Sequence, residues 1–266
     1  MKIHSLFVYP VKSLAGVAVD QFEMDDFGPR GDRRWMIVDD EGIFVTQRRH
    51  PELALLEAHL DEQEVEISIP GEGRFPLRPT STAIRVQVWR DWPQALVGEQ
   101  DANEALSRFC GMPLRLVYMS DETFRRVDPA RVPDNRRVSF ADGFPFLITS
   151  LGSLDELNSR LETPVDIRRF RPNIVIEGAP PWAEDGWREL MINEQPFRLV
   201  KPCSRCVMTT VDPDTGIKDP SVQPLRTLTS YRRTDDGVIF GMNAIHDRPG
   251  KLRVGDAVTI VKSEND

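Results

Sequence analysis

Cysteine is scarce in this chain. Its 266 residues hold three, Cys110, Cys203 and Cys206. So few thiols in so long a chain do not make a disulfide framework, which points to a reducing compartment. Histidine is also sparse, with His4, His50, His59 and His246. A structural zinc site usually draws four Cys or His ligands from two close pairs. Only one close pair exists here, Cys203 and Cys206, so zinc is disfavoured. No apolar run approaches the ~18 residues of a membrane span. The apolar start, Ser5 to Tyr9, is cut by Pro10 and Lys12 before it reaches export length. Positive charge is in deficit, with a formal net charge of -8, which does not suit nucleic acid as the main partner. These absences together predict a cytoplasmic soluble protein, with neither a membrane nor a nucleic acid as partner. Gly-x-Gly-x-x-Gly, Gly-x-x-x-x-Gly-Lys-Ser/Thr and Gly-x-Ser-x-Gly are all missing, so no phosphate loop or nucleophile elbow is expected.

The hydrophobic content of 40% is adequate for a real core, in one large domain or two moderate ones. Short strands dominate: Lys2 to Tyr9, Val17 to Met24, a hairpin over Arg33 to Val38 and Ile43 to Thr46, then Val65 to Ile69, Arg74 to Leu77, Ile84 to Val88 and Leu114 to Tyr118. Strands at this density predict a mainly β fold of barrel or sandwich type with a few short helices. One helix is expected over Ala102 to Cys110, capped by Asp101 and stopped by Gly111. Cys110 on it reads as a buried structural thiol. The polar stretch from Ser120 to Asn135 reads as a connection, giving domains 1–119 and 120–262 and a tail 263–266. In the second domain Phe144 to Ile148 reads as a strand. A helix through Leu161 follows, with Ser153 and Glu156 in a capping box, then one helical turn at Asp166 to Phe170. Ile174 to Ile176, Leu225 to Tyr231, Val238 to Phe240 and Val258 to Val261 read as strands. The acidic run Asp61 to Glu66 reads as a solvated face.

The chain's most informative stretch is Phe197 to Gly216, which reads as strand, tight thiol loop, strand and turn. Cys203 and Cys206 lie on the loop with Arg205 between them, as a soft-metal ligand or a nucleophile would. A thioredoxin-like pair sits where a strand runs into a helix, and the β-branched Val207 to Val211 argues against that. A single thiolate ligand to a metal within a cofactor is the third possibility. Polar groups stand at other strand ends: Lys12 and Ser13, Arg33, Gln47 and Arg48, Arg171 and Asn173, Ser204 and Arg205, and Asn243. Guanidinium, hydroxyl and amide groups of this kind suit a phosphate or a pterin-like heterocycle.

The order Tyr9-Pro-Val-Lys-Ser13, Gly31-Asp-Arg33, Val45-Thr-Gln-Arg48, Phe170-Arg-Pro-Asn173, Cys203-Ser-Arg-Cys206, Thr209 to Gly216, Phe240-Gly241 and Arg253-Val-Gly-Asp256 resembles the MOSC family over essentially the whole chain. The nearest branch has an N-terminal MOSC β-barrel and includes bacterial YcbX-like proteins and mitochondrial amidoxime-reducing components. The resemblance implies a MOSC-type barrel core beside that N-terminal barrel-like domain, and a molybdenum cofactor (Mo-molybdopterin). It implies Cys206 as metal ligand and catalytic centre, and Lys12, Ser13, Arg33, Arg171, Asn173, Ser204, Arg205 and Asn243 as cofactor contacts. Cys203 is left without a role, and Arg205 is expected to favour the thiolate. Asp142-Gly-Phe144 stands where some relatives carry Thr-Ser against the phosphate, so backbone amides would serve there. The implied chemistry is reduction of small N-oxygenated substrates such as hydroxylamines, amidoximes and N-hydroxylated bases. The alternative is a carrier of sulfur or molybdenum cofactor without reductase activity. No cysteine follows Cys206, so electrons are expected from a separate flavoprotein or iron–sulfur protein docking on the acidic surface.

Overall fold

In the computed structural model, which describes residues 1–60 and 64–264, the largest sheet is built mainly from the second half of the chain. Its strands stand in the order Val258–Ser263, Trp187–Ile192, Gln195–Ser204, Gly237–His246, Phe146–Ser150, Ile174–Glu177, Lys2–Val8 and Val17–Val19. Phe146–Ser150 and Ile174–Glu177 pair in parallel, across a connection that contains the helix Leu151–Asn158. A parallel pair needs such a crossover. The chain's first strand completes this sheet, with Ile3 opposite Ile176 and Leu6 opposite Ile174. Ile3, Leu6, Phe146, Ile148, Phe197 and Leu199 are buried together. Full burial of each such side chain contributes about 1.5–3 kcal/mol before entropy is counted.

The rest of the first half forms smaller antiparallel sheets. Trp35–Val38, Arg115–Tyr118, Gln94–Gly98 and Pro79–Arg85 make one, and Glu57–Leu60, Val65–Ile69 and Gly73–Pro76 another. The helix Gln100–Cys110 covers them, placing Ala102, Ala105 and Leu106 against Ile37, Leu53, Ile67 and Leu116. These positions recur at the three- and four-residue spacing of one helix face. A third small sheet, Gly250–Arg253, Gln21–Asp25 and Gly28–Pro29, joins the two ends of the chain. The mainly β expectation with a few short helices therefore holds. Cys110 is partly buried against the first-half core, and burial pushes its thiol up to about 11, as suits an inert structural thiol.

Several local expectations are corrected. Leu225–Tyr231 is a helix, not a strand. Leu228 sinks into the core beside Phe240, and the Thr229 hydroxyl donates to the Leu225 carbonyl, overriding the strand preference of its threonines and tyrosine. The residue after Cys206 opens the 3-10 turn Val207–Thr210, not a strand. There the Thr209 and Thr210 hydroxyls bond back to the Cys206 and Val207 carbonyls, and Arg169 donates to the Thr210 carbonyl. Asp101 lies inside the first turn of its helix and does not cap it, whereas Gly111 ends that helix in the left-handed conformation as expected. The second-half helix ends at Asn158 and is capped by Ser150, whose hydroxyl accepts from the Ser153 amide. The Ser153 hydroxyl instead donates to buried Glu184. Val17 to Met24 divides into Val17–Val19 and Gln21–Asp25, which join different sheets. Of the acidic run, residues 61–63 lie outside the described residues, and Glu66 pairs with Arg74.

Candidate functional site

One cavity of about 440 Å³ gathers the nine residues that the family resemblance implies as cofactor contacts and metal ligand: Lys12, Ser13, Arg33, Arg171, Asn173, Ser204, Arg205, Cys206 and Asn243; Gln47 does not line it. Its volume falls in the ordinary range for a small-molecule site. Arg48, Trp89, Asp142, Arg169, Lys201 and Cys203 also line it. Seven basic side chains thus face this space, at Lys12, Arg33, Arg48, Arg169, Arg171, Lys201 and Arg205, against one carboxylate, Asp142. In a chain with net charge -8, that local reversal marks a site for an anion.

The backbone is strained where it meets the cavity. Among the described residues seven non-glycine residues have positive φ, and four of them line the cavity: Ser13 at 69°, Arg33 at 48°, Trp89 at 56° and Arg171 at 55°. Left-handed backbone costs an ordinary residue about 1–2 kcal/mol, and such strain gathers at functional sites. Hydrogen bonds enforce it. The Arg33 amide donates to the Tyr9 carbonyl at 2.6 Å, Gln47 Nε2 donates to the Ser13 carbonyl at 2.7 Å, and Arg171 Nη1 donates to the Leu14 carbonyl at 2.5 Å.

A buried polar knot beneath the cavity joins the two ends of the chain. Asp32, 1% exposed, accepts from the Tyr9 amide, Arg33 Nη1 and Asn173 Nδ2. Asn173 also donates to the Phe7 carbonyl, and its side-chain oxygen accepts from the Leu147 amide. Arg33 and Arg171 lie over the Tyr9 ring at 4.3 and 4.2 Å from its centroid. Burial pushes the Arg171 guanidinium down to about 10, which leaves it charged at neutral pH, and its Nη2 has no hydrogen-bond partner.

Lys12 Nζ donates to the Phe140 carbonyl at 2.8 Å and to Asp142 Oδ1 at 2.5 Å. Burial pushes Lys12 down to about 8, although the Asp142 carboxylate resists the shift. The carboxylate of Asp142 is therefore the group nearest this lysine.

The thiol pair is unequal. Cys206 Sγ accepts from Arg48 Nε at 3.3 Å. Burial pushes the Cys203 thiol up, and the Arg205 charge opposes that shift. Arg205 does not serve Cys206 as expected. Its Nε and Nη2 donate to the Phe240 carbonyl and its Nη1 to the Phe170 carbonyl, so it ties the strand Gly237–His246 to the turn Ile167–Phe170. Asn243 Nδ2 likewise reaches the Lys201 and Pro202 carbonyls, at 3.4 and 3.3 Å. Arg48 was legible as a polar hairpin end and as part of the Val45-Thr-Gln-Arg48 motif but not as a contact of the sulfur, and Trp89 carried no signal. Among the described residues no group of three His, Cys, Asp or Glu side chains could hold a metal. A metal beside Cys206 would have to bring its remaining ligands with it.

Comparison with known proteins gives the family. The MOSC N-terminal beta barrel domain matches residues 1–113, and the MOSC domain matches residues 135–259. The chain is 36% identical to mitochondrial amidoxime-reducing component 1 of Homo sapiens, covering 97% of this chain and 82% of that one. The chain belongs to the MOSC family. Mitochondrial amidoxime reducing component 2 of Bos taurus is 34% identical, over 96% of this chain and 82% of its own length. Component 1 of Danio rerio is 30% identical, over 96% and 83%. These names also correct the cytoplasmic expectation, because each of the three MOSC relatives is mitochondrial and points to that compartment instead. Reduced thiols and the lack of an apolar span, on which that expectation rested, do not separate one reducing compartment from another. Among the described residues, no helix is long and apolar enough to cross a membrane.

Proposed function

We propose that this MOSC protein reduces small N-hydroxylated compounds at a molybdenum cofactor, with electrons from a separate flavoprotein or iron–sulfur protein. The observation that carries the reading is the pairing of one soft sulfur, Cys206, with a cavity lined by seven basic side chains and a single carboxylate. The names of the relatives supply the substrate class.

The residues present fit such a group. Arg171 Nη2 is a buried, charged donor without a partner, as an arginine awaiting an anionic oxygen would be. Lys12, Ser13, Arg33 and Arg171 would hold the phosphate, Asn173, Ser204, Arg205 and Asn243 the pterin side, and Cys206 the metal. When bound, the cofactor would supply two-electron chemistry at a metal suited to sulfur ligands. Lys12 Nζ stays protonated at neutral pH, and the hydrogen bonds that it donates to Asp142 and the Phe140 carbonyl fix where its charge points. The knot of Asp32, Arg33 and Asn173 keeps the arginine oriented. Asp142, 63% exposed at the mouth, is the one acidic side chain a basic amidoxime or hydroxylamine would meet.

Protein made in a host that synthesises molybdopterin is expected to reduce benzamidoxime with an artificial electron donor. Metal-loaded protein without turnover on benzamidoxime or a hydroxylaminopurine would overturn the reductase reading and leave a cofactor carrier in its place.

A further inference from the structure

Arg48 is the only guanidinium with a hydrogen bond to the Cys206 sulfur among the described contacts, and it arrives from the opposite end of the chain, 158 residues away. Its side chain is held on several sides. The guanidinium lies over the Trp89 ring, 4.7 Å from its centroid. Its Nη2 faces Asp142 Oδ2 at 3.7 Å. Its carbonyl accepts from Lys218 Nζ at 2.7 Å, a bond that ties it to the loop just beyond Cys206. Trp89 is itself fixed: its Nε1 donates to Asp142 Oδ1 at 3.1 Å, its ring packs against Phe44 at 5.2 Å, and its backbone is left-handed. So much structure around one half-buried arginine exceeds what a surface cation requires. The ring and the carboxylate confine the guanidinium whose Nε–H meets the sulfur, and the Lys218 bond anchors its backbone.

We infer that Arg48 is the positioning residue for the Cys206 sulfur. Its N–H fixes the direction in which the sulfur faces the cavity and draws electron density from it. The inference rests on the reading of Cys206 as the metal thiolate. Hydrogen bonds to a ligating sulfur tune the reduction potential of the metal that it holds, and loss of such an outer contact typically costs 10–100-fold in metal affinity or activity. A donor removed from the thiolate leaves it more electron-rich, so the bound metal becomes harder to reduce. Lysine cannot replace this contact fully, because its ammonium is a point charge on a flexible stem and lacks the planar fork that stacks on Trp89.

The test compares wild type, Arg48→Lys and Arg48→Met, each loaded in a molybdopterin-synthesising host. Molybdenum content, the metal midpoint potential and steady-state kinetics with benzamidoxime are measured. The expected result is near-stoichiometric metal, a potential that falls from wild type to the lysine variant and further in the methionine variant, and a kcat about tenfold lower in Arg48→Met with KM little changed. Retained metal with an unmoved potential in Arg48→Met overturns the inference, whatever turnover does. If the methionine variant does not retain metal, the lysine variant decides: a potential below wild type supports the inference, and one equal to wild type overturns it. Wild-type protein without molybdenum overturns the cofactor reading and this inference together, so the two failures are told apart by the wild-type metal content.

Discussion

Lys12, Arg33, Arg48 and Trp89 come to the cavity from the first 90 residues, and Cys206, Arg205 and Asn243 come from the last 70. The two groups are held differently. On the C-terminal side the polar side chains are engaged by backbone carbonyls: Arg205 binds Phe240 and Phe170, and Asn243 approaches Lys201 and Pro202. They make a frame around the sulfur. On the N-terminal side three of the cavity residues, Ser13, Arg33 and Trp89, sit on left-handed backbone, and Lys12 keeps its charge against burial. The first half carries most of the strain, and the second carries the sulfur, its scaffold and four of the seven basic side chains. Arg171 belongs to the frame by sequence yet is strained and incompletely paired like the N-terminal set, and it is bonded to Leu14. A site divided this way exists only when both halves are folded and docked.

The strongest challenge to that division is at the knot that joins them. Asp32→Ala leaves Arg33 without its buried carboxylate and the Tyr9 amide without its side-chain acceptor, and it leaves Asn173 Nδ2 with the Phe7 carbonyl alone. Breaking a buried ion pair in this way is expected to cost about 3–5 kcal/mol in chemical denaturation. A loss below about 1 kcal/mol would break the view that the halves are tied there.

Lys12 sharpens the charge side of the comparison. Its folded-state value of about 8 lies below the ordinary 10.5, so between these values the unfolded chain binds more protons. Stability therefore rises with pH across this window, by on the order of 3 kcal/mol from this group, relieving a cost that is fully present below about pH 8. Lys12→Met is expected to flatten that slope in pH-dependent denaturation of the cofactor-free protein. An unchanged slope would contradict the buried-lysine account.

Backbone strain gives the smallest effect. Ser13→Gly removes the steric penalty at φ 69° and is expected to raise cofactor-free stability by about 1 kcal/mol while lowering cofactor retention. Ser204→Ala, at an exposed position without that strain, is expected to leave stability within about 0.5 kcal/mol. Equal effects at the two serines would remove the contrast between strained and unstrained sides.

Much of this arrangement was legible in the chain, and what was not has physical causes. Alternation and turn residues carried the mainly β fold, and Gly111 carried its helix stop. The elements after Cys206 and at Leu225–Tyr231 were misread because threonine hydroxyls and the burial of Leu228 outweigh β-branched preference, and tertiary contacts of that kind have no local signature. The nine cavity residues were recognisable through motif order, but their convergence was not, since it depends on pairings such as Ile3 with Ile176 across the whole chain. The overall charge of -8 concealed a basic cavity for the same reason. Arg205 adjoins Cys206 in sequence yet points to backbone carbonyls, whereas distant Arg48 reaches the sulfur. Adjacency in a tight loop does not tell which way a side chain turns.

On the proposed reading the symmetric-looking thiol pair is chemically unequal, with Cys206 holding the metal and Cys203 standing aside. Molybdenum content of wild type, Cys206→Ala and Cys203→Ala, purified from a molybdopterin-synthesising host, tests it most directly. The account predicts near-stoichiometric metal in wild type and Cys203→Ala and its loss in Cys206→Ala. Metal retained in Cys206→Ala, or absent from wild type, would contradict it.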